Sequence, residues 1–206
     1  MVLFLGLAIS TSANVYIPKA KLAGETVFVH ITKEAAVVTA VFEFDDWITL
    51  DAKVVYFPIF TNASDDPIQI LAHADFALEV DGKKLGVAAP CETPTRFGKL
   101  PKNPRISWYA ANLDELIDNA KAEVDFNRRI IVRLSYTQPL IHGRFYYLPV
   151  VIGSADPDKE KRSWNYQMLA HSNLKILQVL SKQVDYEQLG NGVVVYLKDT
   201  EIVVIQ

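Results

Sequence analysis

The stretch Phe126-Asn127-Arg128-Arg129-Ile130-Ile131-Val132-Arg133-Leu134-Ser135-Tyr136 decides the fold class. Phe126, Arg128, Ile130, Val132, Leu134 and Tyr136 share one face at a period of two, with Arg129, Ile131, Arg133 and Ser135 on the other. A helix of about 3.6 residues per turn cannot sort the side chains in that way. Upstream, Val27, Val29 and Ile31 repeat the pattern, as do Val38, Ala40, Phe42 and Phe44, and then Val55, Phe57 and Ile59. Each reads as a strand with one face in a core. Asp81-Gly82, between Ala74–Val80 and Lys83–Val87, supplies the two positive φ angles of a type I′ hairpin turn.

Downstream, strands are expected at Gly143–Pro149, Trp164–Met168, Asn173–Leu180, Val193–Leu197 and Glu201–Ile205, with Gly190-Asn191-Gly192 as a turn. Pro58 and Pro139 each read as ending a strand, because proline cannot donate to the ladder. One helix interrupts the pattern: Asn112 caps it, Glu115 stands three residues on, and Leu113, Leu116, Ile117, Ala120 and Val124 form one stripe. The expected fold is mainly β, an antiparallel β-sandwich of about ten or more strands with one short helix. Pro90, Pro94, Pro101 and Pro104 make residues 90–104 a surface loop and the candidate divide between two halves of one domain spanning 14–206.

Half of the 206 residues are hydrophobic, enough for a sizeable core. The net charge of −3 is scattered without basic runs, which argues against a nucleic-acid partner. Residues 1–13 differ from the rest. The apolar run Val2–Ile9 followed by Ser10-Thr11-Ser12-Ala13 reads as a signal peptide, although no Lys or Arg precedes it, and a buried N-terminal strand is the competing reading. The run is far shorter than the roughly 20 residues that cross a bilayer, so stable membrane insertion is not expected. The expected location is secreted or periplasmic. With Cys91 as the only cysteine, an intrachain disulfide is impossible.

Several segments also carry a family resemblance through their order: Val29-His30-Ile31-Thr32, Phe42-Glu43-Phe44, Val55-Tyr56-Phe57-Pro58-Ile59, Phe76–Lys83, Ile131–Leu140 and Gly143–Pro149. The series resembles the vault/inter-alpha-trypsin (VIT) domain and related exported bacterial β domains, over residues 25–206. The resemblance implies a non-catalytic interaction module. The Asp-x-Ser-x-Ser metal motif of the von Willebrand A domain that usually follows a VIT domain is absent, so that family's ion-dependent adhesion does not carry over.

Candidate chemistry is sparse. His73 and Asp75 would lie on the same side of a strand as two metal ligands, with no third indicated. Asp156, Asp158 and Glu160 alternate in a loop that could offer oxygen ligands to calcium, but lack the glycine and terminal glutamate of an EF-hand. Asn62, Ser64, Asp65 and Asp66 form a similar acidic turn. Cys91 has no histidine tied to it by a recognisable signature, and neither a Gly-x-Ser-x-Gly elbow nor a phosphate-binding glycine loop occurs. No cofactor is implied. Trp108, Tyr147, Trp164 and Tyr166 could line a face for sugar or peptide, with core packing as the alternative. The expectation is a non-catalytic exported module that binds an unknown protein partner or serves the envelope structurally. A carbohydrate-binding protein or hydrolase using the aromatic face and acidic loops is the alternative.

Overall fold

A computed structural model describes residues 17, 21–45, 54–62, 64–85, 88–94, 104–113, 129–149, 166–182, 184–197 and 202–206. The alternating segments become strands: β1 (Lys21–Ile31), β2 (Ala35–Asp45), β3 (Val54–Thr61), β4 (Ala77–Val80), β5 (Lys83–Lys84), β6 (Ala89–Cys91) and β7 (Arg105–Asn112). They continue with β8 (Ile130–Pro139), β9 (Phe145–Tyr147), β10 (Tyr166–His171), β11 (Asp185–Leu189), β12 (Gly192–Tyr196) and β13 (Val203–Ile205). One helix, α1 (Pro67–His73), is present among the described residues.

An eight-stranded sheet runs in the order β11-β12-β10-β1-β2-β8-β4-β5. Two smaller sheets, β3-β7-β6 and β13-β9, complete the fold. Val27, Val29 and Ile31, Phe42 and Phe44, and Ile130, Val132, Leu134 and Tyr136 all turn inward, as their period of two requires. They share one core with Val55, Phe57 and Ile59 of β3, Tyr109 of β7, Tyr147 of β9 and Val203 and Ile205 of β13. The main core therefore lies between the inner face of the large sheet and the two small ones. A separate cluster of Phe60, Trp108, Ile141 and Leu148 covers the far side of β3 and β7.

Turn chemistry fixes the registers. At the β1–β2 connection the Thr32 hydroxyl donates to the Ala35 carbonyl at 2.8 Å and accepts from the Ala35 N–H at 3.1 Å. The β4–β5 hairpin turns on Asp81 and Gly82, with φ of 46° and 79°, the two positive angles expected of a type I′ turn. Asp81 also accepts from the Ile131 N–H at 2.9 Å, pinning the hairpin to β8.

Four expectations need correction. The fold is mainly β, but the large sheet is mixed, not antiparallel, because β1 and β10 pair in parallel from Glu25↔Tyr166 to His30↔His171. Almost the whole chain separates these strands, so no hairpin signal reports their orientation. Pro58 does not end its strand. β3 runs on to Thr61, and Pro58 is tolerated opposite Trp108 because β3 is an edge strand whose one neighbour is β7. Segment 173–180 forms no strand, only a bridge between Val179 and Ile205. The helix expected after Asn112 falls on residues 114–124, which lie outside the described residues, as do residues 1–13, and α1 is a different helix. Pro90 and Cys91, expected in the 90–104 surface loop, lie instead in β6, which pairs with β7 in one sheet.

The local reason for α1 is Asp66-Pro67. The Asp66 carboxylate accepts from the Ile68 N–H at 3.0 Å, and Pro67 stands in the first turn, where it needs no donor. Asp66→Ala is expected to lower stability by about 0.5–2 kcal/mol, measured as a shift in the urea midpoint with an unchanged slope.

Candidate histidine groove on the outer sheet face

The outward positions of the large sheet divide into two halves. Over β8 and its neighbours the face is charged: Arg129 meets Glu43 at 2.9 Å and Arg133 meets Glu79 at 3.0 Å. Over β1, β10 and β12 it is largely uncharged, with Phe28, Leu169 and Val194 in one cross-strand row, while Glu187 beside Val194 and Asp185 beside Tyr196 bring charge back on β11. Phe28 is 49% exposed, Val37 44% and Leu189 59%, and Leu169 and Val194 stand among them. These residues line a groove of about 540 Å³ with Thr39, Ser172, Asn173 and Asn191, and among the described residues no Asp, Glu, Lys or Arg is in its lining. Gly192 lets β12 approach β10 closely, because a Cβ there would sit 2.8 Å from the Ala170 carbonyl oxygen and something would have to shift.

Two histidines meet in this groove. The parallel register sets His30 of β1 beside His171 of β10, their Nδ1 atoms 3.4 Å apart and their rings tilted by 40°. His30 is legible as an outward residue, since Val29 and Ile31 point inward. Its partner is not, because the contact spans 141 residues across a parallel pairing.

The residues singled out from sequence are placed as follows. Trp108 is 2% exposed and Tyr147 1% exposed, so neither presents a face to a ligand. The reason is that both sides of the small sheets are covered. Trp108 packs in the cluster with Phe60, while its neighbour Tyr109 points into the main core. Tyr166 is partly buried against the main core and donates from its hydroxyl to the Leu22 carbonyl at 2.9 Å. Trp164, Asp156, Asp158 and Glu160 lie outside the described residues.

His73 and Asp75 do not share a strand face. His73 closes α1, its Nδ1 donating to the Gln69 carbonyl at 2.6 Å, and Asp75 follows at φ 45° in the turn beyond. Asp75 instead lines a second groove, of about 460 Å³, with Leu71, Phe76, Lys84 and Leu85. Asp65 of the acidic turn is engaged locally, accepting from the Asn62 N–H at 2.7 Å. Among the described residues no three His, Cys, Asp or Glu side chains cluster as a metal site. Partial burial pushes the Cys91 thiol up to about 11, so it stays protonated at neutral pH.

One polar pair was missed. Glu25 is buried on the inner face of β1 and accepts from the Tyr147 hydroxyl, tying the large sheet to β9. Burial, reinforced by the Glu25 charge, holds the Tyr147 and Tyr136 hydroxyls well above the ordinary tyrosine range. A glutamate among inward positions is the only sequence mark of this link.

No protein-family model matches this chain, and no curated protein does. Among solved structures it is similar to a candidate nutrient-binding protein of Legionella pneumophila, with a TM-score of 0.54 and 9% identity over 95% of this chain and 70% of that one. That likeness concerns the fold alone. The chain also aligns with yeast leukotriene A4 hydrolase in complex with bestatin, at a TM-score of 0.44 and 9% identity. The native Saccharomyces cerevisiae enzyme aligns at 0.42 and 10%. These alignments cover 90% and 91% of this chain but only 28% and 29% of the hydrolase. Among the described residues, no helix is long and apolar enough to cross a membrane.

Proposed function

We propose that this chain is a non-catalytic, extracytoplasmic binding module that holds a small, largely apolar ligand in the groove over the β1–β10 seam. The observation that carries the reading is a groove of about 540 Å³ whose described lining holds no Asp, Glu, Lys or Arg, on the same outer face as the Arg129–Glu43 and Arg133–Glu79 pairs. Small-molecule sites span roughly 300–1,000 Å³ and pair apolar walls with a few polar groups that orient the ligand. Here Phe28, Val37, Leu169 and Leu189 are the walls, and His30, His171, Asn173 and Asn191 are the orienting groups. The Legionella neighbour's nutrient-binding description agrees with this reading.

A protein partner is the second reading, favoured by β11. Among the described residues it pairs only with β12, leaving its other edge open to strand addition, with Tyr186 and Leu189 exposed beside it.

Replacing Phe28 by aspartate separates the two. Fragments detected by ligand-observed NMR are expected to bind the wild type and to lose about tenfold or more in affinity for Phe28→Asp. The variant's stability should stay within about 0.5–1 kcal/mol, since the side chain is half exposed. Equal fragment binding by both proteins would remove the groove from consideration.

A further inference from the structure

We propose that His30 and His171 form a two-histidine site for a borderline divalent transition metal, with Zn2+ and Cu2+ as the best fits, whose open coordination positions face the groove. The inference goes beyond the ligand-binding reading and does not require it. Geometry carries the argument. Zn–N bonds of about 2.0–2.1 Å at a tetrahedral angle put two ligating nitrogens about 3.3–3.4 Å apart. The two Nδ1 atoms stand 3.4 Å apart. That separation matches the ligand spacing of a tetrahedral metal, and in the metal-free state it is a long hydrogen bond between the two rings.

The surroundings agree. Imidazole pairs select Zn2+, Cu2+ and Ni2+ over the oxygen-seeking Ca2+ and Mg2+. Among the described residues no carboxylate lines the groove, so no hard ligand is there to draw calcium. Parallel pairing fixes both backbones, so little ordering is needed before binding. With two protein ligands, a tetrahedral ion keeps two positions for water or for a donor atom of the groove's ligand. Binding is reversible coordination, with no bond to carbon made or broken.

Zinc chloride alone, titrated calorimetrically into the chelator-stripped full chain, tests the site. One Zn2+ per chain is expected to bind and to raise the thermal midpoint. His30→Ala and His171→Ala should each lose at least about tenfold in affinity, whereas His73→Ala and His142→Ala should bind as the wild type does. Thermal unfolding without metal shows whether each variant is folded. Cu2+ in place of Zn2+ should give the electron-paramagnetic signature of nitrogen ligation in the wild type and lose it in the double variant His30→Ala, His171→Ala. Zinc binding that is absent, or that survives in the folded double variant, would overturn the site. Fragment binding to the metal-free protein reports on the groove separately, so the two readings can fail independently.

Discussion

Phe42→Ala is expected to lower the unfolding free energy by about 3–5 kcal/mol, while Phe28→Ala changes it by less than about 1 kcal/mol. Both are phenylalanines on adjacent antiparallel strands, β1 and β2, so propensity cannot separate them. Phe42 is fully buried on the inner face, between the β1 position Glu25 and the β8 position Val132, whereas Phe28 faces the groove. Guanidinium denaturation with an unchanged slope measures the difference. Comparable losses from the two truncations would mean that the inward and outward faces have been assigned wrongly.

The faces were readable because period-two alternation is local. Val132, Leu134 and Tyr136 against Arg133 and Ser135 state their own orientation, and Asp81-Gly82 states its own turn. What failed was long-range. The parallel β1–β10 seam, and with it the histidine pair, depends on a pairing between chain ends that no short window contains. Tyr147 falls in an expected strand and Trp108 does not, but the exposure of both depends on whether a second layer covers the far face, and it does. Helix α1 was missed although Asp66-Pro67 marks its start, because Asp65 and Asp66 were read as part of an acidic turn and not as a cap. His73 was accordingly placed on a strand when it closes a helix.

The second large effect is alkaline destabilisation. Cysteine and tyrosine are neutral when protonated, and burial raises Cys91 from 9.0 to about 11 and Tyr109 from 10.0 to about 12. The buried hydroxyls of Tyr136 and Tyr147 move in the same direction. Above pH 9 the unfolded chain gives up these protons first, so it binds fewer than the folded chain and stability falls as pH rises. The contribution is intact below pH 9 and is lost progressively as pH passes through about 11 for Cys91 and about 12 for Tyr109. Denaturation curves from pH 8 upward, paired with tyrosinate absorbance, follow the loss. Tyr147→Phe should flatten this pH dependence while costing about 1–3 kcal/mol at neutral pH, because Glu25 loses a buried donor. An unchanged slope in Tyr147→Phe would place that hydroxyl in contact with solvent.

The proposed binding surface is the groove over the β1–β10 seam, lined by Phe28, Val37, Leu169 and Leu189 with His30 and His171. Methyl NMR of the full chain, titrated with a mixed fragment library, tests it most directly. Shifts are expected at Val37, Leu169, Leu189 and Val194, with the inward methyls of Val132 and Leu134 silent. Shifts confined to Leu71 and Leu85, beside Asp75 in the second groove, would contradict the account and move the site there.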